Sequence, residues 1–331
     1  MVSMKEIARV CGVSVATVSK ALNNKDDIPK ATRERIRKKA EEMGYFLNAS
    51  ARALKTKRTY SIGVLFIDSM SAGLAHEYFS AILESFKNTA EEYGYDITFI
   101  SHTIAGQQST FLNHCRYRDF DGVAIISADF TDPEIIALAE SEIPVVTIDY
   151  IYDSCPSVVS DNTRGMRELV AYIAAKGHKK IAFLHGEMTE VTRSRIMGFK
   201  EACHQAHIED TRLISAKYHD IELCAEKTAE LMKGDWKPTC IIFPDDYSSL
   251  GGRKALEEAG CHVPRDVSVV GYDGIQMASL IGLTTYAQDT RSLGRIACRK
   301  LIDKIEDPET MPEHVVVNGK FSEGTSVRDI H

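Results

Sequence analysis

Residues 13–22 read VSVATVSKAL, and this stretch decides how the N-terminal part of the chain folds. Ser14 is placed to cap a helix, and Val18 and Leu22 lie four apart on one face of it. Val15, Ala16, Ser19 and Lys20 fall on the other side, toward the helix start. Upstream, Ser3 and Glu6 make an S-x-x-E capping box, so a first helix begins at Met4 with two orphan N–H groups satisfied by side chains. Ile7, Ala8 and Cys11 follow at helical spacing, and Gly12 supplies the left-handed residue that closes the helix. Val18 and Leu22 can then pack against Ile7 and Ala8. Two helices joined by such a turn form a helix-turn-helix, whose second helix fits the major groove with its N-terminal residues against base edges. The alternative at this point is any small helical hairpin.

Charge separates the two. The first 58 residues hold 14 Lys and Arg against 6 Asp and Glu, whereas the rest holds 26 against 41. A polyanion responds to the field within about a Debye length, ~8 to 10 Å, so the acidic total does not argue against nucleic acid. The basic head is the electrostatic footprint of a DNA-binding unit.

A chain of 331 residues, 44% of them hydrophobic, is long enough for two or three cored units. Without an apolar run long enough to span a bilayer, or a secretory h-region in MVSMKEIARV, a cytoplasmic protein without membrane contact is expected. Eight cysteines, spread without a C-x-x-C pair, fit neither a zinc site nor a disulfide framework, and no metal or cofactor is expected.

After a polar loop from Asn23 to Pro29, Thr32 to Met43 reads as a third helix with Ile36, Ala40 and Met43 on one face and Arg33, Arg37, Lys38 and Lys39 on the other. Asn48 to Leu54 is a capped run of small residues followed by the basic string Lys55 to Arg58. A segment this short is marginal as an isolated helix and folds only when held. Its small side chains would let two copies approach closely, with Leu54 as an apolar wedge in a minor groove. The alternative is an Ala-rich flexible linker.

From Tyr60 the pattern changes to short apolar strands alternating with amphipathic helices. Strands are expected at Ile62 to Ile67, Ile97 to Ile100, Val123 to Ile126, Val145 to Ile148, Ile181 to Leu184, Cys240 to Phe243, Val267 to Val270 and Val315 to Val317. Helices are expected at Phe79 to Tyr93, Thr163 to Lys176, Leu250 to Ala259 and Arg291 to Ile305. This is an α/β body of buried parallel, doubly wound sheets. The series restarts near Ser160-Asp161-Asn162, which implies two sheets. No G-x-G-x-x-G follows the first strand and no P-loop is present, so dinucleotide and NTP readings find no support.

Ligands of open α/β sheets sit beyond the carboxyl ends of the strands. Asp149, Asp245, Asp246 and Asp273 fall there, each equally able to cap a helix or make a turn. With Arg195, in R-x-x-G-F at the start of a helix, they form a set suited to vicinal hydroxyls, because carboxylates accept hydroxyl protons and a guanidinium donates a planar pair.

KEIARVCGVSVATVSKALNN, TRERIRKKAEEMGYFLNASARALKTKRTYSIGVLF, SDNTRGMRELVAYIAAKGHKKIAFLHG, RIMGFKEA and VPRDVSVVGYDGI together resemble the lactose-repressor (LacI/GalR) family of bacterial transcription regulators, over nearly the whole chain. The resemblance implies a homodimer on a pseudo-palindromic double-stranded DNA operator, with paired hinge helices in the minor groove. It also implies a periplasmic-binding-protein-like body of two lobes, crossed by three connections, with a small molecule clamped between them. The expected domains are a head at 1–47, a hinge at 48–58 and a body at 59–331. Lobe 1 spans about 59–160 and 290–315, and lobe 2 about 161–289 and 316–331.

By position, Val15, Ala16 and Lys20 would read bases, within a DNA-facing set of Ser14, Val15, Ala16, Thr17, Ser19, Lys20 and Asn23. The hinge would add Asn48, Ser50, Ala51, Leu54 and Lys55, with Leu54 the intercalating wedge. Family members often have Arg where this chain has Lys20, and a Lys is a mobile point charge rather than a planar fork. Effector contacts would come from Asp149, Arg195, Asp245 and Asp273, with Tyr78 and Gln288, while Asp246 is read as a helix cap. Many relatives have Asn-Asp where this chain has Asp245-Asp246, and the added charge disfavours an anionic ligand. The long stretch Asp68 to Phe79 brings His76 and Tyr78 to the pocket mouth, with His76 read as a surface residue. The expectation is a repressor of sugar-utilisation genes, switched by a sugar in the cleft, and not an enzyme. Inducer and corepressor would use the same parts. The alternatives are a purine- or sugar-phosphate-responsive regulator of the same architecture, or a sugar-acting enzyme or binding protein with a basic head. The chain ends without a leucine heptad, so a dimer is expected rather than a coiled-coil tetramer.

Overall fold

The computed structural model describes residues 2–23, 27–45, 58–67 and 73–331, in two compact units, Met1–Tyr60 and Ser61–His331. In the head, α1 spans Met4–Cys11, α2 Val15–Leu22 and α3 Lys30–Glu42. The Ser3/Glu6 capping box forms in both directions, and Gly12 closes α1 at φ 65°. Ser14 caps α2 by accepting from the Thr17 N–H at 3.1 Å. Ile7, Ala8, Cys11, Val18, Ala21, Ile36 and Ala40 form the core, so α2 buries Val18 and Ala21 while Leu22 packs at its margin. Helix α3 starts two residues earlier than its apolar spacing suggests, because Pro29, at φ −55°, is already set for a helix start. Two of its arginines reach back to the neighbouring helices, Arg35 while staying exposed and Arg37 half-buried. Arg35 donates to the Cys11 carbonyl at 3.1 Å and Arg37 to the Ala21 carbonyl at 3.2 Å, so guanidinium groups satisfy the carbonyl ends of α1 and α2.

The body opens with β1 (Ser61–Phe66), α4 (Glu77–Glu92), β2 (Asp96–Phe99), the short pair β3 (Thr103–Ile104) and β4 (Gln107–Gln108), and α5 (Phe111–Arg118). It continues with β5 (Gly122–Ser127), α6 (Pro133–Ala139), β6 (Val145–Ile148) and β7 (Ser157–Ser160). Then come α7 (Asn162–Ala175), β8 (Lys180–His185), α8 (Glu190–Gln205), β9 (Asp210–Ser215), α9 (Ile221–Lys233), β10 (Cys240–Ile242) and α10 (Asp246–Glu258). The last elements are β11 (Ser268–Val270), α11 (Gln276–Leu280), β12 (Thr285–Ala287), α12 (Thr290–Glu306), β13 (His314–Val317) and β14 (Lys320–Ser322).

Two separate parallel sheets result. Lobe 1 carries the order β13-β7-β6-β5-β1-β2 and lobe 2 the order β11-β10-β8-β9. The chain leaves lobe 1 after β7, returns with α12, which packs on α4 and the lobe-1 sheet, and leaves again after β13. Gly294 makes the α4–α12 approach possible, since a Cβ there would lie 2.3 Å from the Ile82 carbonyl oxygen. The expected lobe limit at residue 315 falls inside β13. All four of its residues pair in parallel with β7, so lobe 1 runs to Val317. Strands β7 and β9 were not anticipated: β7 is a short S-V-V-S after a proline, and β9 is a half-exposed edge strand whose polar residues break the apolar run. All eight cysteines are free, and all but Cys261 are buried. Among the described residues, no helix is long and apolar enough to cross a membrane.

Candidate functional site

On the head, the face of α2 away from the core presents Ser14, Val15, Ala16 and Lys20 as exposed residues, with Thr17, Ser19 and Asn23 half-buried beside them. An apolar Val15 left 42% exposed has no packing role in the head. Lys20 is not free: its ammonium lies 2.5 Å from Asp27, which anchors an otherwise mobile charge. Asn23 donates to the Ser19 carbonyl at 2.7 Å and finishes the helix. The hinge residues Asn48, Ser50, Ala51, Leu54 and Lys55 lie outside the described residues.

In the body, the carboxyl ends of both sheets converge on one polar cluster. Arg195 is 4% exposed, in the second turn of α8 rather than at its start. Gly198 explains the R-x-x-G-F spacing, because a Cβ there would sit 2.3 Å from the Thr163 carbonyl oxygen and push α8 off α7. The guanidinium donates from Nε to Asn162 at 2.8 Å and from Nη1 to the Pro244 carbonyl at 2.7 Å. Its plane lies 3.7 Å from the Tyr272 ring centroid, and Nη2 is 3.6 Å from Asp273. Gln288 donates to the same Asp273 carboxyl at 2.7 Å. From lobe 1, Tyr78 donates to Asp149 at 2.9 Å, and the Ser160 N–H holds the other Asp149 oxygen at 3.1 Å. Tyr78 lies in the first turn of α4, which begins at Glu77, and not in a loop.

Asp149 and Asp273 both have positive φ, 59° and 109°. A non-glycine residue in such a conformation costs about 1–3 kcal/mol, and here two strained residues aim carboxyls at one place. Burial pushes both carboxyls up, Asp273 to about 6 even with Arg195 drawing it down. Burial lowers the Arg195 pKa, but its tyrosine neighbours Tyr218 and Tyr272, and Asp273, outweigh that and keep it charged.

The Asp245-Asp246 pair exchanges the expected roles. Asp245 caps α10, accepting from the Ser248 N–H at 2.7 Å and the Ser248 hydroxyl at 2.8 Å. Its carboxylate also takes the His219 N–H at 2.7 Å and lies 3.3 Å from the His219 ring. Asp246 is not the cap: fully buried, it accepts from the N–H groups of Gly274 and Ile275 and from the Thr285 hydroxyl, and so ties α10 to the turn that carries Asp273. Burial opposes a charge on either Asp245 or His219, but their proximity wins, holding Asp245 below and His219 above its usual range. The charge expected from Asp245 is therefore neutralised locally.

His76 is likewise not a surface residue. It is 6% exposed, with Nε2 2.7 Å from His219 Nδ1. His219, Tyr218, Ser160 and Asn162 join the cluster without having been anticipated, since two of them follow the unrecognised β9 and the other two lie at the end of β7 or just beyond it. Ser160 Oγ and Gln288 Oε1 are buried without a hydrogen-bond partner in the protein. Such a set of donors and acceptors has the hydrogen-bonding chemistry that a hydroxylated molecule requires.

A helix-turn-helix unit with an exposed reading face, carried by a chain whose two-lobed α/β body closes on a polar cluster, defines a ligand-responsive DNA-binding regulator. Residues 3–48 match the bacterial regulatory proteins of the lacI family, and residues 170–327 match a periplasmic binding protein-like domain. The chain is 29% identical over 336 residues to a probable HTH-type transcriptional repressor ExuR of Bacillus subtilis (strain 168), with 99% of each chain covered. Its fold matches the lac repressor dimer bound to operator and the anti-inducer ONPF, with TM-score 0.83, 24% identity and 99% of both chains covered. It also matches a LacI family transcriptional regulator from Enterococcus faecium with bound ribose, with TM-score 0.71 and 25% identity, covering 82% of this chain and 100% of that one. The chain thus joins a lacI-family head to a periplasmic-binding-protein-like body, and its curated relatives are transcriptional repressors.

Proposed function

We propose that the protein represses its target genes as a cytoplasmic homodimer on a pseudo-palindromic operator, and that a neutral sugar in the interlobe cleft switches operator binding. The observation that carries this reading is the cluster itself. Arg195, Asp273 and Gln288 bond together on one side and Tyr78 and Asp149 on the other, in a buried setting, with Ser160 Oγ and Gln288 Oε1 left to pair. Hydroxyl groups can replace each of these mutual bonds, whereas a phosphate would meet the Asp149 and Asp273 carboxyls beside a guanidinium already engaged by Asp273. Asp245 acts by holding His219. The ribose bound by the Enterococcus faecium relative is in keeping with a sugar. For DNA, Val15, Ala16 and Lys20 read base edges, and the hinge residues from Asn48 to Lys55 complete the contact.

A thermal-shift screen of neutral sugars, sugar phosphates, nucleosides and purines tests the ligand class. At 100 times its dissociation constant a ligand stabilises by about 2.7 kcal/mol, a readily visible rise in melting temperature. Arg195→Ala should abolish the shift while leaving operator binding measurable. A shift by purines or sugar phosphates alone would replace the sugar reading.

A further inference from the structure

We propose that His76 and His219 form a proton-controlled latch between the lobes, so that the cleft loosens when both imidazoles carry a proton. His76 directly precedes α4 in lobe 1, and His219 lies between β9 and α9 in lobe 2. Their facing nitrogens are 2.7 Å apart and their ring centroids 3.8 Å. Phe79 of lobe 1 and Tyr247 of lobe 2 flank the His76 ring, at 5.3 and 6.0 Å. A second crossing contact runs beside it, the Gln276 N–H donating to Glu77. The site is thus a bond between the lobes, made by two groups that titrate near neutral pH.

Two nitrogens this close share one proton. With one ring neutral, an N–H donates to a lone pair and the lobes are tied. With both charged at these atoms, N–H faces N–H and two cations replace a hydrogen bond. The surroundings decide which ring takes the first proton. Asp245 and Asp273 face His219 and favour its charge, while burial and Arg195 oppose it, and the carboxylates prevail. Among the described residues, Glu77, Tyr78 and Tyr247 are ionisable groups near His76, and the Glu77 carboxylate is engaged by Gln276. A second proton, whichever ring receives it, sets N–H against N–H across the 2.7 Å contact and breaks the latch. The link to effector affinity rests on the cleft being the effector site; the latch itself does not.

The full-length protein, with Cys261→Ser and labels at Arg118→Cys in lobe 1 and Lys254→Cys in lobe 2, reports lobe separation by energy transfer. Both labelled positions are exposed. Transfer should fall as pH is lowered from about 8 to about 5, bracketing the ordinary imidazole range of ~6.5. His76→Gln, which keeps a hydrogen-bonding group without a titrating one, should hold transfer steady, and His76→Phe should flatten it too. A flat wild-type profile, or a fall that persists in His76→Gln, overturns the proposal; thermal melts identify a variant that has not folded. Ribose titrated at both ends of the range should bind about tenfold more weakly at the acidic end in the wild type only, an ordinary size for coupling. A pH-dependent separation without ribose binding upholds the latch and counts only against ribose as the effector.

Discussion

At the scale of single residues, the two adjacent aspartates after β10 do different work. Asp246 collects three buried donors, at 2.7, 3.0 and 2.6 Å. Asp246→Ala leaves those donors unpaired, at about 1–3 kcal/mol for each buried group. It should lower the denaturation midpoint sharply, and any folded remainder should keep the ligand preference of the parent. Asp273→Asn touches the proposed effector cluster instead and should weaken effector binding in a calorimetric titration while operator binding persists. His178 is a third case. It is fully buried, bonded to Thr239 at 2.9 Å and to the Arg328 carbonyl at 3.1 Å, and burial lowers its pKa below the usual 6.5. Because the folded state prefers the neutral ring, this contribution to stability is complete above the unfolded value and is lost as pH falls below it. Melting temperature should drop on acidification through that range, and His178→Gln should remove that part of the drop.

At the scale of elements, caps and close crossings hold the functional side chains in place. Ser14→Ala removes the cap on α2, worth about 0.5–2 kcal/mol. The head should melt earlier, and operator affinity, read by fluorescence anisotropy, should fall although no DNA-facing side chain other than Ser14 is changed. Gly198→Ala places a methyl against the Thr163 carbonyl and separates α8 from α7. Overpacking of this kind costs about 1–3 kcal/mol, and because Arg195 rides on α8 the effector response should weaken along with the urea midpoint.

At the scale of the whole molecule, two units are linked through residues near Arg58 to Tyr60. Whatever ligand closes the cleft, linkage requires operator and ligand to change each other's affinity by the same factor, typically 5- to 150-fold. Measuring effector binding with and without operator, and operator binding with and without effector, should return equal factors. Leu54→Ala should reduce specific operator binding while leaving most salt-dependent non-specific binding, since phosphate contacts supply the latter. Equal loss of both would remove the wedge role assigned to Leu54.

Sequence alone determined the features that depend on neighbours along the chain. The Ser3/Glu6 box, Gly12, the Ser14 cap and the apolar spacing of α1 and α2 are local, as is the alternation of apolar strands with helices that made the body α/β. Strand-end aspartates and the R-x-x-G-F motif could be picked out for the same reason, because strand ends in a parallel sheet point to a common edge. The division of labour between Asp245 and Asp246 was decided only by tertiary structure, since it depends on whether Ser248 or the turn at Gly274 lies nearer each carboxylate. The same holds for β7 and β9, whose mixed composition becomes strand only through pairing with β6, β8 and β13. His76 and His219, 143 positions apart in the chain, meet because two lobes close on one another. Burial and charge pairing there come from residues remote in sequence, which local periodicity cannot encode.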